Sequence, residues 1–414
     1  MDKKITFQVD LDWIKKAIQW AEQDFSYMAY FDHNSLTYPY MGFENTLYAG
    51  NEAFTLEQVN TRPSFHDKVG ILSYDLKNKF EILQSQHTPY IDCPDSVFFQ
   101  PTLKIVFKNQ QAEIEHQEPL KIYEKINAFT ETISPTVGIS LSSCTPKKDY
   151  IKNVLKIKEH IREGDIYEMN YCIAFKGTFN SLNLLDVFWK LMEKSPMPFS
   201  SFFKAKDKII IGASPERFLK KTGAKIIAQP IKGTIKRGKT EEEDQQLRLL
   251  LKNSEKECAE NLMIVDLMRN DLSKISEIGK VQVEELFGIY PFKSITQMIS
   301  TVSSTLKQPI KFENIIAKTF PMGSMTGAPK IKCMELIDKY ENFRRGWFSG
   351  SMGYISKNQD FDFNVVIRSI ILDMQTCRLY FAVGSAITYD ADPEQEYQEC
   401  LLKAQPIIEV LSEI

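Results

Sequence analysis

Several side chains in the later two thirds of the chain have types and spacings that could do chemistry. Lys232 lies in Pro230-Ile231-Lys232-Gly233-Thr234, after a strand-like segment and beside a glycine that lets backbone approach a ligand closely. Its amine could act as a nucleophile, or it could be one more surface lysine. Glu216, in Ser214-Pro215-Glu216-Arg217-Phe218, also follows a strand-like segment; it could pair with Arg217 or another cation. Glu260 belongs to a helix on which 257, 260, 264 and 267 share a face, in line with Ile264 and Leu267. A carboxylate on such a stripe is costly unless it meets a cation or a donor, so it is either a rim ion pair or a ligand. Glu396, Glu399 and Lys403 follow at i, i+3 and i+7 of a further helix. They form either a solvated ladder or part of a site for a hard divalent cation, which takes one or two protein carboxylates plus water and substrate oxygens. Finally, residues 320–330 lead two glycines and two hydroxyls into a helix start, where free N–H groups favour an anion. The alternative there is a plain helix entry; the Gly-Lys-Ser/Thr ending of a Walker loop is missing.

The five histidines all fall within the first 160 residues, so chemistry in the later half must use carboxylates and lysines. The seven cysteines are scattered, with no Cys-x-x-Cys pair, as expected for a reducing cytoplasm and not for a zinc ribbon. A net charge of −3 argues against a nucleic-acid groove or an anionic membrane surface. No apolar run approaches the ~20 residues that span a bilayer, and the polar start lacks a signal-peptide core. With 43% hydrophobic residues, 414 residues can bury a large core without disulfides.

These groups must be positioned by a mixture of strands and helices. Alternation predicts strands at 4–9, 69–74, 103–107, 171–175, 209–211 and 225–230, and helical spacing predicts 11–23 and about 150–163, stopping at Gly164. Thr240 with Glu243 and Ser254 with Glu257 read as capping boxes for helices at 241–252 and 255–268. Another helix should open after Gly327-Ala328-Pro329-Lys330, and another at Asp392-Pro393 with Asp392 as N-cap. The stretch 134–148 reads as a connection between 1–140 and 145–414. Strands and helices without a regular βαβ period give an α+β class.

Taken together, the segments resemble the chorismate-utilising enzymes, the family of anthranilate, aminodeoxychorismate, isochorismate and salicylate synthases. The resemblance is carried by Gly164-Asp165-Ile166-Tyr167, Ser214 to Phe218, Pro230 to Thr234, Ala259-Glu260-Asn261-Leu262-Met263-Ile264-Val265-Asp266 and Arg269-Asn270-Asp271-Leu272. It continues through Gly323 to Lys330, Val366-Ile367-Arg368-Ser369 and Glu396-Tyr397-Gln398-Glu399, all in the family's order. Earlier segments, Gly70 to Leu76 and Asp95 to Phe99, look like the family's amino-terminal half, so the resemblance extends over the whole chain. It implies a single interlocked two-sheet sandwich with outer helices. Residues 1–140 are then the amino-terminal portion of that unit, and 145–414 its chorismate-binding region.

The resemblance also assigns expected roles. Glu260 and Glu399, with Glu396 close by, match magnesium ligands that orient the ring carboxylate of chorismate. Glu216 matches the acid that protonates the departing C4 hydroxyl. Arg368 and the backbone of Gly384, Ser385 and Ala386 match the clamp on the other carboxylate; Gly233 and Thr234 match substrate contacts, and Lys403 adds charge near the metal. Lys232 matches the nucleophile of the branch that makes 4-amino-4-deoxychorismate for 4-aminobenzoate and folate, where anthranilate synthases have alanine. Such an amine must be neutral to attack, which implies a lowered pKa. Ammonia is expected from a separate glutaminase subunit, since no cysteine here sits in a Gly-x-Cys-x-Gly elbow. Three departures stand out: Glu168, where relatives have glutamine or a lysine base; Gln297, where many have a histidine linked with pyruvate elimination; and Phe348, where a substrate-binding tyrosine is common. Glu168 is expected to bind ammonium or take its proton. No Leu-Leu-Glu-Ser segment of the kind that binds tryptophan is present. The rival readings are amination with pyruvate elimination, and a non-catalytic chorismate-binding subunit.

Overall fold

Strand Tyr27–Asp32 shows how the layers arise. Tyr27, Ala29 and Phe31 enter one buried cluster, whereas Met28 and Tyr30 enter another. The same period-two split places Cys172 and Ala174 against Tyr171, Ile173 and Phe175, and Ile210 against Ile209 and Ile211. Strands that are apolar on both faces must be covered on both, and this is how the chain folds. The computed structural model describes residues 2–63, 65–131, 135–293 and 295–413. A twelve-stranded and a ten-stranded antiparallel sheet pack face to face across the first cluster. Helices including Leu11–Asp24, Lys147–Arg162, Leu184–Lys194 and Pro393–Ser412 cover the outer face of the larger sheet through the second.

Both sheets draw on early and late parts of the chain. Tyr27–Asp32 pairs with Phe199–Ala205 in the larger sheet, and Lys68–Leu72 with Ser351–Ile355 in the smaller. Within the 134–148 stretch, Ser140–Ser143 pairs with Glu168–Thr178, and the next helix starts at Lys147 (Ser134 lies outside the described residues). Most expected elements are found with shifted ends. The strand expected at 69–74 stops at Leu72, so that Tyr74 enters a short 3₁₀ turn. The helix expected at 255–268 runs to Ser273, because Leu272 still has core to bury. Among the described residues, no helix is long and apolar enough to cross a membrane.

One buried pair ties together the segments beneath the cavity described next. Arg345 and Glu341 are each 2% exposed and form a two-pronged ion pair at 2.6 and 2.8 Å. Arg345 also donates to the carbonyls of Met325 and Asn170, and Glu341 accepts from the Cys172 N–H. The pair therefore clamps the loop at 322–326 to the strand Glu168–Thr178.

Candidate active site

A cavity of about 490 Å³ opens where the two sheets meet the helices Glu255–Ser273 and Pro393–Ser412. This lies in the usual range for small-ligand sites. Lys232 and Gly233 reach it from a bulge in the strand Ile231–Lys236, not from beyond a strand end. Ile231 pairs with Ile299 and Thr234 with Gln297, so two residues on one strand face Met298 alone. Asn261 pins the bulge by donating to the carbonyls of Lys232 and Met298, and it accepts from Ser300 Oγ at 2.6 Å. Gly233 has φ +93°, and a Cβ there would press within 3.2 Å of Glu257 and of Leu251. The positive φ favours glycine here, and a side chain would also crowd the ends of Glu257 and Leu251.

The Lys232 amine stands 3.5 Å from Glu168 Oε1. Burial pushes its pKa down, but Glu168, Glu260, Glu216 and Glu399 together outweigh burial and raise it. Burial alone therefore does not supply the lowered pKa that attack requires: carboxylates crowd round the amine and keep its proton on. Glu168 is fully buried, and among the described residues neither of its oxygens accepts a hydrogen bond. Gly327 packs so closely on its carbonyl that any Cβ there would collide.

Glu216 is buried and faces the cavity, and it does not pair with Arg217. Arg217 turns away to a two-pronged bond with Asp362 at 2.8 and 2.9 Å. Burial pushes the Glu216 carboxyl up to about 7, against the pull of Ser324 and Lys232. Glu260 is only 7% exposed, and burial raises it likewise to about 7; its Oε1 accepts no hydrogen bond.

On the helix Pro393–Ser412, Glu396 lies 3.1 Å from the Lys256 amine. Glu399 lies 2.6 Å from that of Lys403, which also donates to the Gly384 carbonyl. Burial would raise Glu399, yet Lys403, with Lys256 and Lys232, holds it below the ordinary value. Across the cavity Arg368 sits at φ +52°, uncommon for a residue with a side chain. Among the described residues its guanidinium has no hydrogen bond or ion pair, and burial lowers its pKa with Glu399 opposing. A half-buried guanidinium without a partner, facing a cavity, can receive an anion.

Thr234, Gly384 and Ala386 also line the cavity. The Ser385 side chain does not: strand alternation turns it outward to Tyr150, at 2.9 Å, leaving only its backbone near the site. Gln297 and Phe348 are both at the wall, and Gln297 Oε1 accepts no hydrogen bond. The anion reading of the 320–330 loop needs correcting. The loop reaches the cavity through Ser324 and Met325, but the following helix start does not line it, and Lys330 is paired with Asp271.

The sequence reading missed Lys256 and Glu257. Glu257 was assigned to a capping box; its N–H does bond Ser254 Oγ, but its carboxylate lies against Gly233 in the cavity. The available signal was helical spacing, since 257 and 260 share a face. A separate cluster, His160, Glu163 and Asp165, is a helix end and no part of this site. The His160 nitrogens already face Asp165 at 2.7 Å and Tyr340 at 2.9 Å.

Six glutamates, five lysines and one arginine line the cavity, a charged pocket of the size that takes a small ionic ligand. Residues 21–409 match the family model of chorismate binding enzymes, and the chain belongs to that family. A probable aminodeoxychorismate synthase of the rice chloroplast is 41% identical over 292 residues, 70% of this chain; the chain spans about a third of that relative's length, 32%. The aminodeoxychorismate synthase component 1 of Escherichia coli K12 is 31% identical over 372 residues, covering 86% of this chain and 81% of that protein. The crystal structure of anthranilate synthase component I from Streptococcus pneumoniae superposes with a TM-score of 0.75 at 26% identity, covering 90% of this chain and 91% of the other. The fold is the chorismate-binding fold, α+β as expected.

Proposed function

We propose that this chain adds ammonia to chorismate to give 4-amino-4-deoxychorismate, with Lys232 as the covalent nucleophile. The observation that carries this reading is the Lys232–Gly233 bulge, which aims an amine into the cavity that also holds the buried acid Glu216. The neutral amine attacks C2 of the ring, both ring double bonds shift along the diene, and the C4–O bond breaks. Glu216 gives its proton to the departing hydroxyl, which leaves as water. Ammonia then forms the C4–N bond, both double bonds shift back, and the C2–N bond to Lys232 breaks. Arg368 and the backbone at 384–386 hold one substrate carboxylate. Gly233 leaves room beside the ring, and Thr234 contacts it.

Magnesium fits the donor set: Glu260, with its unpartnered buried oxygen, and Glu399, with Glu396 near, are hard oxygen ligands. When bound, it would supply positive charge to the other substrate carboxylate. The charge balance at Glu260 and Glu399 bears directly on Lys232, since both now help hold its proton. Ammonia is assigned to a glutaminase partner, and the reaction to the cytoplasm.

The test is incubation with chorismate, magnesium and ammonium salt, with the product identified by mass. The expected product keeps its enolpyruvyl group; anthranilate would overturn the reading in favour of pyruvate elimination. No turnover at all would favour a non-catalytic subunit. Glu168, 3.5 Å from the nucleophile, is proposed to hold the incoming ammonium or accept its proton. Glu168→Gln is therefore expected to raise the KM for ammonium by roughly tenfold, about one lost charge-assisted hydrogen bond. An unchanged KM and kcat would remove Glu168 from the mechanism.

A further inference from the structure

We infer that Lys256 is a built-in competitor for the divalent cation, bridging Glu260 and Glu396 when the site is empty and swinging into solvent when it fills. This rests on the metal reading above. Lys256 lies in the first turn of Glu255–Ser273, and its amine is 3.1 Å from Glu396 Oε1 and 3.8 Å from Glu260 Oε1. Those two oxygens belong to different helices, so one ammonium spans the acidic wall across which a cation would bind. The contact to Glu260 is loose, because that same Oε1 accepts no hydrogen bond. Glu396 is 3% exposed and needs a positive neighbour, which is either this ammonium or a metal.

The two lysines at the acidic wall differ in how readily they can leave. Lys403 is bonded both to Glu399 at 2.6 Å and to the Gly384 carbonyl at 2.9 Å, and its side chain is 28% exposed. Lys256 has no backbone bond among the described residues and a side chain 47% exposed, so its amine can turn to water at little cost. The empty site is thus kept near neutral by a removable internal cation. The apparent metal affinity is reduced by the fraction of time the bridge is open.

The test is Mn²⁺ binding to the full chain, read from the free-ion electron paramagnetic resonance signal, with Mg²⁺ as competitor. If the bridge is closed for about nine-tenths of the time, Lys256→Met tightens Mn²⁺ binding roughly tenfold. Lys256→Gln does the same, and Lys256→Arg, which keeps the charge, stays near wild type. Unchanged or weaker binding in both neutral variants, with wild-type thermal melts, overturns the inference. Glu260→Gln separates the two levels. It should abolish binding; Mn²⁺ affinity untouched by that change would sink the metal site itself and not only the competitor.

Discussion

Lys232→Ala is expected to lose ammonia-dependent turnover by on the order of 10³-fold or more, equivalent to ~4 kcal/mol of barrier. The lysine stands on a pinned bulge, its amine faces the cavity, and no second lysine is held in an equivalent position on that strand. Lys236 is on the same strand but exposed and regularly paired. The variant gives up a charge that four carboxylates stabilise more than burial penalises it, so some loss of stability is expected beside the loss of turnover. Single-turnover assays with product identification by mass check the loss, and a thermal melt checks the fold. A residual rate from direct attack of ammonia at C4 is compatible with the role assigned. A variant within tenfold of wild type would falsify covalent catalysis by this residue.

Glu216→Gln is expected to cost 10²–10⁴-fold in kcat, the usual range for a positioned proton donor. The amide keeps the size of the side chain and loses the proton. Glu216 must be protonated to act, and burial sets its carboxyl at about 7, so kcat/KM should fall as pH rises through that value. Glu260 lies near the same value but must be ionised to hold a cation, so it contributes the opposite sign. The deciding measurement is the pH profile. In Glu216→Gln the falling limb should disappear with the rate, while the rising limb should persist. A falling limb left in place would assign the acid to another group.

Much of the site was legible before folding was considered. The capping residues Ser254 and Asp392 bond the N–H groups expected of them, and Pro393 opens its helix. Glu260 was placed on a part-apolar face by spacing alone, and Ile264 on that face is fully buried. What misled was any rule that spends a side chain locally. Glu257 satisfies the capping pattern, yet its carboxylate serves the cavity, because Ser254 already bonds its N–H and Gly233 leaves room opposite. Arg217 adjoins Glu216 in sequence but not in function: Arg217 opens the strand Arg217–Thr222 and is taken by Asp362, while Glu216 lies between strands and faces the cavity. The charge state of Lys232 was not legible in the same way, because it depends on how many carboxylates converge on it from separate elements.

The sequence by itself determined which groups could react, where the chain turns helical, and where several of its strands run. Those follow from residue chemistry and from periods of 2 and 3.6, both local. Only the tertiary structure decided that residues 168, 216, 232, 260 and 399 share one cavity. It also decided that Lys232 rides a bulge and that Lys256 bridges two helices. Pairings between strands and helices far apart in the chain set these, and charge balance inside a cavity depends on every group that arrives there.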